Sequence, residues 1–171
     1  MNWYGDFETT GLSAKDGDIL LLACFIPSDS DDVVIMANGD VPFDDGLVLN
    51  VTDWFDARGK SERVFGYNWF GYDLRFLNQR IIAAGGWPKA WSRHYDLLDE
   101  TKKKFPYLPD HKLDTVAHAL GVANEKTALD LEINRRCADG VDDREAWSLL
   151  IEHCVADVKV TRDVYEKMYG L

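Results

Sequence analysis

Asp6 and Glu8 stand two residues apart in Asp6-Phe7-Glu8-Thr9-Thr10-Gly11-Leu12, near the amino terminus. On a strand, side chains at i and i+2 share one face of the sheet, so both carboxylates point the same way. Carboxylates held together in an apolar layer repel each other and need a compensating cation. The Thr-Thr-Gly-Leu turn that follows offers backbone N–H groups and an apolar tip beside them. The chemistry this suits is the holding of divalent metal next to a substrate end. Because 30 of the 171 residues are Asp or Glu, an Asp-x-Glu is expected somewhere by chance, and the pair acquires meaning only from what else the chain brings to it.

Two further segments carry suitable groups. His153 and Asp157 are one helical turn apart, on the edge of a stripe formed by Trp147, Ile151, Cys154, Val155 and Val158. In Gly66-Tyr67-Asn68-Trp69-Phe70-Gly71-Tyr72-Asp73, a strand runs out, an Asn follows, and Asp73 opens a helix whose positive end favours an anion. Taken alone, the first reads more readily as a helix-surface His-Asp pair and the second as a first-turn acid that stabilises its helix.

The elements that position these groups follow from hydrophobic periodicity. Residues 2 to 8, Ile19 to Ile26 and Val33 to Ala37 read as strands in a hairpin meander, separated by Gly, Asp, Ser and Pro clusters. On the first, Trp3, Gly5 and Phe7 fill the buried face while Tyr4, Asp6 and Glu8 line the other. Val51 to Ala57 reads as a short helix and Arg63 to Tyr67 as a fourth strand. Asp73 to Ala84 is a helix with Leu74, Leu77, Ile81 and Ile82 at helical spacing, stopped at Gly85-Gly86-Trp87-Pro88. Leu113 to Leu120 is a helix ended by Gly121, and Asp143 to Met168 is one long helix or two in series. The expectation is an α/β fold with a mixed central sheet flanked by helices.

Composition sets outer bounds. With 46% hydrophobic and 12% aromatic residues, 171 residues suffice for one domain spanning 1–171 with its own core. Cys24, Cys137 and Cys154 are odd in number and widely spaced, which fits a reducing compartment better than a disulfide framework. No signal peptide and no membrane-length apolar run is expected, giving a cytoplasmic protein with no membrane partner. A net charge of −11 argues against a broad duplex-coating surface but leaves room for an enzyme that grips a few terminal nucleotides.

Taken together, the three segments resemble the DEDD (DnaQ-like) superfamily of 3'-to-5' exonucleases with a ribonuclease-H-like fold. Asp6-Phe7-Glu8-Thr9-Thr10-Gly11-Leu12 is similar to the first motif of that superfamily, Asn68-Trp69-Phe70-Gly71-Tyr72-Asp73 to the second, and His153-Cys154-Val155-Ala156-Asp157 stands where the third belongs. Lys112-Leu113-Asp114-Thr115-Val116-Ala117 and Asp157-Val158-Lys159-Val160-Thr161 are similar to segments of family B DNA polymerase exonuclease domains and related stand-alone nucleases. Those relatives carry a tyrosine four residues before the last Asp, where this chain has His153. The other branch places a histidine five residues before it. A step of four turns a helical side chain by about 40° and a step of five by about 140°, so His153 occupies the tyrosine slot with the histidine chemistry.

The resemblance implies two-metal-ion phosphodiester hydrolysis at the 3' ends of single-stranded DNA or RNA. Asp6, Glu8, Asp73 and Asp157 are the implied ligands of two Mg²⁺ or Mn²⁺ ions, favoured by oxygen-only donors. His153 is the implied general base or water-orienting group, since an imidazole accepts protons near neutral pH. Thr9, Thr10 and Leu12 are implied contacts of the terminal nucleotide through backbone groups and an apolar wedge. Asn68 and Tyr72 position the next one, and Trp69 is the tryptophan placed to touch a base. Lys126 matches a lysine used by some polymerase-linked relatives. Lys102-Lys103-Lys104 and Arg135-Arg136 could track the nucleic-acid backbone but read better as solvated faces. A polymerase or another replication or repair protein is an implied partner. The alternatives are a ribonuclease-H-like endonuclease and a non-catalytic nucleic-acid-binding or polymerase-associated subunit of the same fold.

Overall fold

Strand β1 (Asn2–Thr9) lies at the centre of a five-stranded sheet. β2 (Leu20–Pro27) runs antiparallel to it on one side, followed outward by antiparallel β3 (Val34–Ala37). On the other side β4 (Arg63–Gly66) and then β5 (His94–Asp96) run parallel to β1, giving the order β3-β2-β1-β4-β5. The computed structural model describes residues 1–124, 127 and 129–170, so Lys126 lies outside the described residues.

Six α-helices among the described residues flank the sheet: α1 (Asp45–Asp56), α2 (Asp73–Ala83), α3 (Leu97–Lys104), α4 (Leu113–Ala119), α5 (Leu131–Asp139) and α6 (Arg144–Tyr169). Alternation along β1 and β2 divides the core. Trp3, Phe7 and Phe25 pack with Val51 and Phe55 of α1 and Leu74 and Leu77 of α2. Tyr4, Leu22, Cys24 and Ile26 face the opposite layer, formed by Leu150, Cys154 and Val158 of α6. β2 is buried along its whole length, as expected of an apolar run with helices on both faces. A third cluster joins Leu113 and Val116 of α4 to Val160, Val164 and Met168 of α6.

The mixed sheet and the antiparallel meander of the first three strands agree with the sequence reading, with two qualifications. The Tyr4 side of β1 is also a packed layer: α6 covers it, and Tyr4 is 1% exposed. α1 begins at Asp45 rather than Val51, because the buried Asp44 before it accepts the N–H of Leu20 at 2.7 Å and ion-pairs with Arg80 of α2. β5, α3 and α5 lie where the sequence reading placed no element. β5 is three residues long, and α3 and α5 are short helices whose N-terminal N–H groups are taken by Asp96 and Asp130. The carboxy-terminal segment is one continuous helix, capped by Asp143 and ended at the left-handed Gly170.

Candidate active site

Asp6 and Glu8 occupy the C-terminal half of β1, past the last β1–β4 pair of Tyr4 with Phe65. There the chain of β4 has turned away. Asn68 adopts a left-handed backbone with φ of 59°, and a side chain at Gly71 would overlap the Asn68 carboxamide. That turn delivers Asp73, at the start of α2, to the vacated edge of β1, where its Oδ1 accepts the N–H of Phe7 at 3.2 Å. Asp73 is 3% exposed. Burial first, then the negative charges of Asp6 and Glu8, hold its carboxyl well above the usual carboxylate range.

α6 crosses the same end of the sheet and supplies the third element. His153 places Nε2 3.5 Å from Glu8 Oε1 and 3.9 Å from Asp157 Oδ2. Its Nδ1 lies 2.8 Å from the Thr127 hydroxyl. The Thr127 hydroxyl can accept from Nδ1–H or donate to Nδ1, and in the first tautomer the Nε2 lone pair faces the acids; hydrogen-bonding of one ring nitrogen sets which nitrogen is available for chemistry. Cys154, fully buried behind Asp6, directs its thiol at the Asp6 carbonyl and carboxylate, 3.6 and 3.7 Å away. Burial, a hydrogen bond with Cys24 and the charges of Asp6 and Glu8 push this thiol up, so it stays protonated and supports the acid it touches. Candidate ligand atoms of Asp6, Glu8 and Cys154 all lie within 4.8 Å of one another.

The three sequence segments therefore meet. Asp6, Glu8, Asp73, His153 and Asp157 form one cluster at the end of β1. Cavities open on either side of it. One, of about 620 Å³, is lined by Asp6, Asp157, Asn68, Lys102, His111 and Lys112 among others. The second, of about 360 Å³, is lined by Glu8, the Thr9–Leu12 turn, Tyr72, Leu131, Asn134 and Arg135 among others.

The remaining expected contacts divide. Leu12 is 79% exposed at the rim of the second cavity. Tyr72 donates to the Gly11 carbonyl at 2.7 Å and also hydrogen-bonds the Thr9 hydroxyl, so it braces the turn it lines. Thr10 is committed to the protein: its N–H goes to the Ile19 carbonyl, and its hydroxyl accepts from Ile19 N and donates to Asp18. Thr10 still lines the second cavity. The expectation for Trp69 is overturned. This side chain is fully buried, its indole N–H donates to His94 Nδ1 at 3.0 Å, and it packs between Phe7 and Phe55, leaving no face for a base. Gly66 makes room for it, since a Cβ there would overlap the indole.

The basic runs also separate. Lys103 pairs with Glu100 at the surface, and Lys104 donates to the Met168 carbonyl, but Lys102 lines the first cavity. Arg136 is held by Asp143 and Glu145, whereas Arg135 lines the second. Asn134, Cys154 and His111 are site residues that the sequence reading left unassigned. Cys154 had a signal in its place between His153 and Asp157; Asn134 had none.

No curated protein matches the chain. Among solved structures, the fold is similar to the family B DNA polymerase from the hyperthermophilic archaeon Pyrobaculum calidifontis, with a TM-score of 0.78 at 19% identity over 98% of this chain and 24% of that one. It is similar to E. coli exonuclease I in complex with a dT13 oligonucleotide, with a TM-score of 0.65 at 16% identity over 99% of this chain and 40% of that one. The zinc-ion-bound form of the E. coli exonuclease I complex with single-stranded DNA gives 0.64 at 15% identity, with the same coverage of 99% and 40%. The chain thus spans between 24% and 40% of the length of these proteins. A family model described as the RNase_H superfamily matches residues 3–169, nearly the whole sequence, and the chain belongs to that superfamily.

Proposed function

We propose that this chain is a metal-dependent 3'-to-5' exonuclease acting on single-stranded DNA or RNA. The observation that carries this reading is that carboxylates from three elements gather at the end of β1, with an imidazole that reaches two of them, Glu8 and Asp157, at once. The fold shared with E. coli exonuclease I bound to dT13 supports a single-stranded substrate, and the fold shared with a family B polymerase supports work beside a replication or repair protein.

The donor set fits divalent metal. Its oxygens are carboxylate, burial and then the charges of Asp6 and Glu8 push Asp73 toward its protonated form, and oxygen ligands of this kind suit Mg²⁺ or Mn²⁺. Asp6, Glu8, Asp73 and Asp157 would hold two ions, whose chemistry is stabilisation of the attacking and leaving oxygens of an in-line displacement. His153 accepts a proton at Nε2 from the attacking water while Thr127 holds the other ring nitrogen. Water oxygen bonds to phosphorus as the bond to the 3' oxygen of the preceding nucleotide breaks, releasing a nucleoside 5'-monophosphate and a shortened 3' hydroxyl end. The terminal nucleotide occupies the smaller cavity beside Glu8 and Leu12. The strand leaves through the larger one, where Lys102, His111 and Lys112 meet its phosphates. Asn68 lines that exit.

Incubation of 5'-labelled single-stranded DNA and RNA with Mg²⁺ or Mn²⁺ tests the reading. A descending ladder is expected. A discrete internal cut would make the chain an endonuclease, and an intact label with a shifted band would make it a binding module.

A further inference from the structure

Helix α5 closes the smaller cavity, and one of its side chains is incompletely satisfied. Asn134 is 6% exposed, lines that cavity, and donates from Nδ2 to the Thr9 carbonyl at 2.8 Å. The bond fixes the carboxamide, since the flipped form would set two oxygens against each other. Asn134 Oδ1 is left buried with no hydrogen-bond partner among the described residues. A desolvated acceptor without a donor is costly and rare in a folded protein, and a ligand group is one way to complete it.

We propose that Asn134 is a substrate-binding residue whose Oδ1 accepts a hydrogen bond from a sugar hydroxyl of the nucleotide in this cavity. This rests on the exonuclease reading for the identity of that nucleotide. Asn134 sits on the floor, bonded to the residue that follows Glu8, while Leu12 and Leu131, 79% and 76% exposed, form an apolar outer rim suited to a base. The sugar joins the phosphate at the acids to the base at the rim, so its hydroxyls are the donors that reach the floor. On this proposal Leu131 and Arg135, which are exposed and line the same cavity, yield to admit it.

The test is calorimetric binding, with Mg²⁺ present, of AMP, 2'-deoxy-AMP and 3'-deoxy-AMP to the wild-type protein and to Asn134→Leu. Loss of one hydroxyl is expected to weaken wild-type binding about 3- to 10-fold, the usual scale for one neutral hydrogen bond. The nucleotide that shows the loss identifies the 2' or 3' group. In Asn134→Leu the same comparison is expected to give less than about a twofold difference. Equal affinities in the wild type, or an unchanged ratio in Asn134→Leu, would overturn the proposal. Should Asn134→Leu fail to fold, the side-chain amide resonances of Asn134 in the wild type decide. A shift with AMP that is absent with one deoxy analogue supports the contact, and identical shifts with all three refute it. A ladder on labelled strands without this discrimination removes Asn134 alone. Discrimination without a ladder removes the exonuclease reading and leaves a nucleotide-binding cavity.

Discussion

His153 Nε2 lies 3.5 Å from Glu8 Oε1, which ties the middle of α6 to the end of β1 at the point where the acids gather. On the proposed exonuclease reading this histidine takes a proton or orients water, and the two roles respond differently to substitution. As a base, His153 makes activity rise with pH through its ionisation, because only the neutral ring accepts a proton. His153→Ala is expected to lose about 10²-fold or more in kcat and the acidic limb of the pH profile. His153→Tyr is expected to be nearly as inactive, since a phenol with an ordinary pKa of about 10 is a poor base near pH 7. Substantial activity in the Tyr variant beside a dead Ala variant would assign His153 to orienting water.

Thr127 holds the far side of the same ring at 2.8 Å. Thr127→Val keeps the shape and removes the hydroxyl. It is expected to lower kcat about tenfold with little change in KM, the scale seen when the partner of a site histidine is removed. Steady-state kinetics separate the two constants, and a change confined to KM would show that Thr127 acts on substrate instead.

Asp73 carries a pH-dependent cost in the metal-free protein. Its folded-state pKa is raised by burial and by Asp6 and Glu8. In EDTA the stability it contributes is therefore complete below the ordinary carboxylate range and is lost as pH rises through the raised folded value. Asp73→Asn retains an acceptor for the Phe7 N–H and removes the charge. Its Tm in EDTA at neutral pH is expected to exceed wild type by roughly 2–8 °C, at about 2–4 °C per kcal/mol for a chain of this size. Thermal melts across pH in EDTA should show wild type falling where the variant stays level. Turnover in Asp73→Asn, as in Asp6→Ala, Glu8→Ala and Asp157→Ala, should be abolished, and near wild-type activity in any two of these would defeat the metal assignment.

Lys102 lines the larger cavity with Asp6 and Asp157, as a phosphate contact would. Lys102→Ala is expected to raise KM and to reduce the slope of log KM against log salt by about 0.7, the value for one phosphate of a single strand. A KM rise with an unchanged salt slope would show a steric effect.

Direction of attack is open to a direct check. A bulky group on the 3' hydroxyl should stop degradation, because the cavity beside Glu8 is only about 360 Å³. A 5' block should have no effect, and equal sensitivity to both would favour internal cleavage.

The sequence by itself determined what depends on short spacing. Asp6 and Glu8 share a face because strands have a period of two, and His153 and Asp157 share an edge because four residues make one helical turn. β1, α2 and α6 were legible for the same reason, each being long enough to show its period, and β2 was legible as an unbroken apolar run. Tertiary structure decided what depends on distant partners. α1 starts at Asp45 because Asp44 meets Leu20 and Arg80, and the three residues of β5 are strand only because β4 lies beside them. Trp69 stands in a motif that meets the site, yet it is interior because Phe7, Phe55 and His94 surround it. Asp73 joins the acids through the backbone of Phe7, 66 residues earlier, and Asn134 joins the cavity through the carbonyl of Thr9, 125 residues earlier. No local pattern encodes either contact, because each depends on which hydrogen-bonding group the folded sheet leaves exposed at its end.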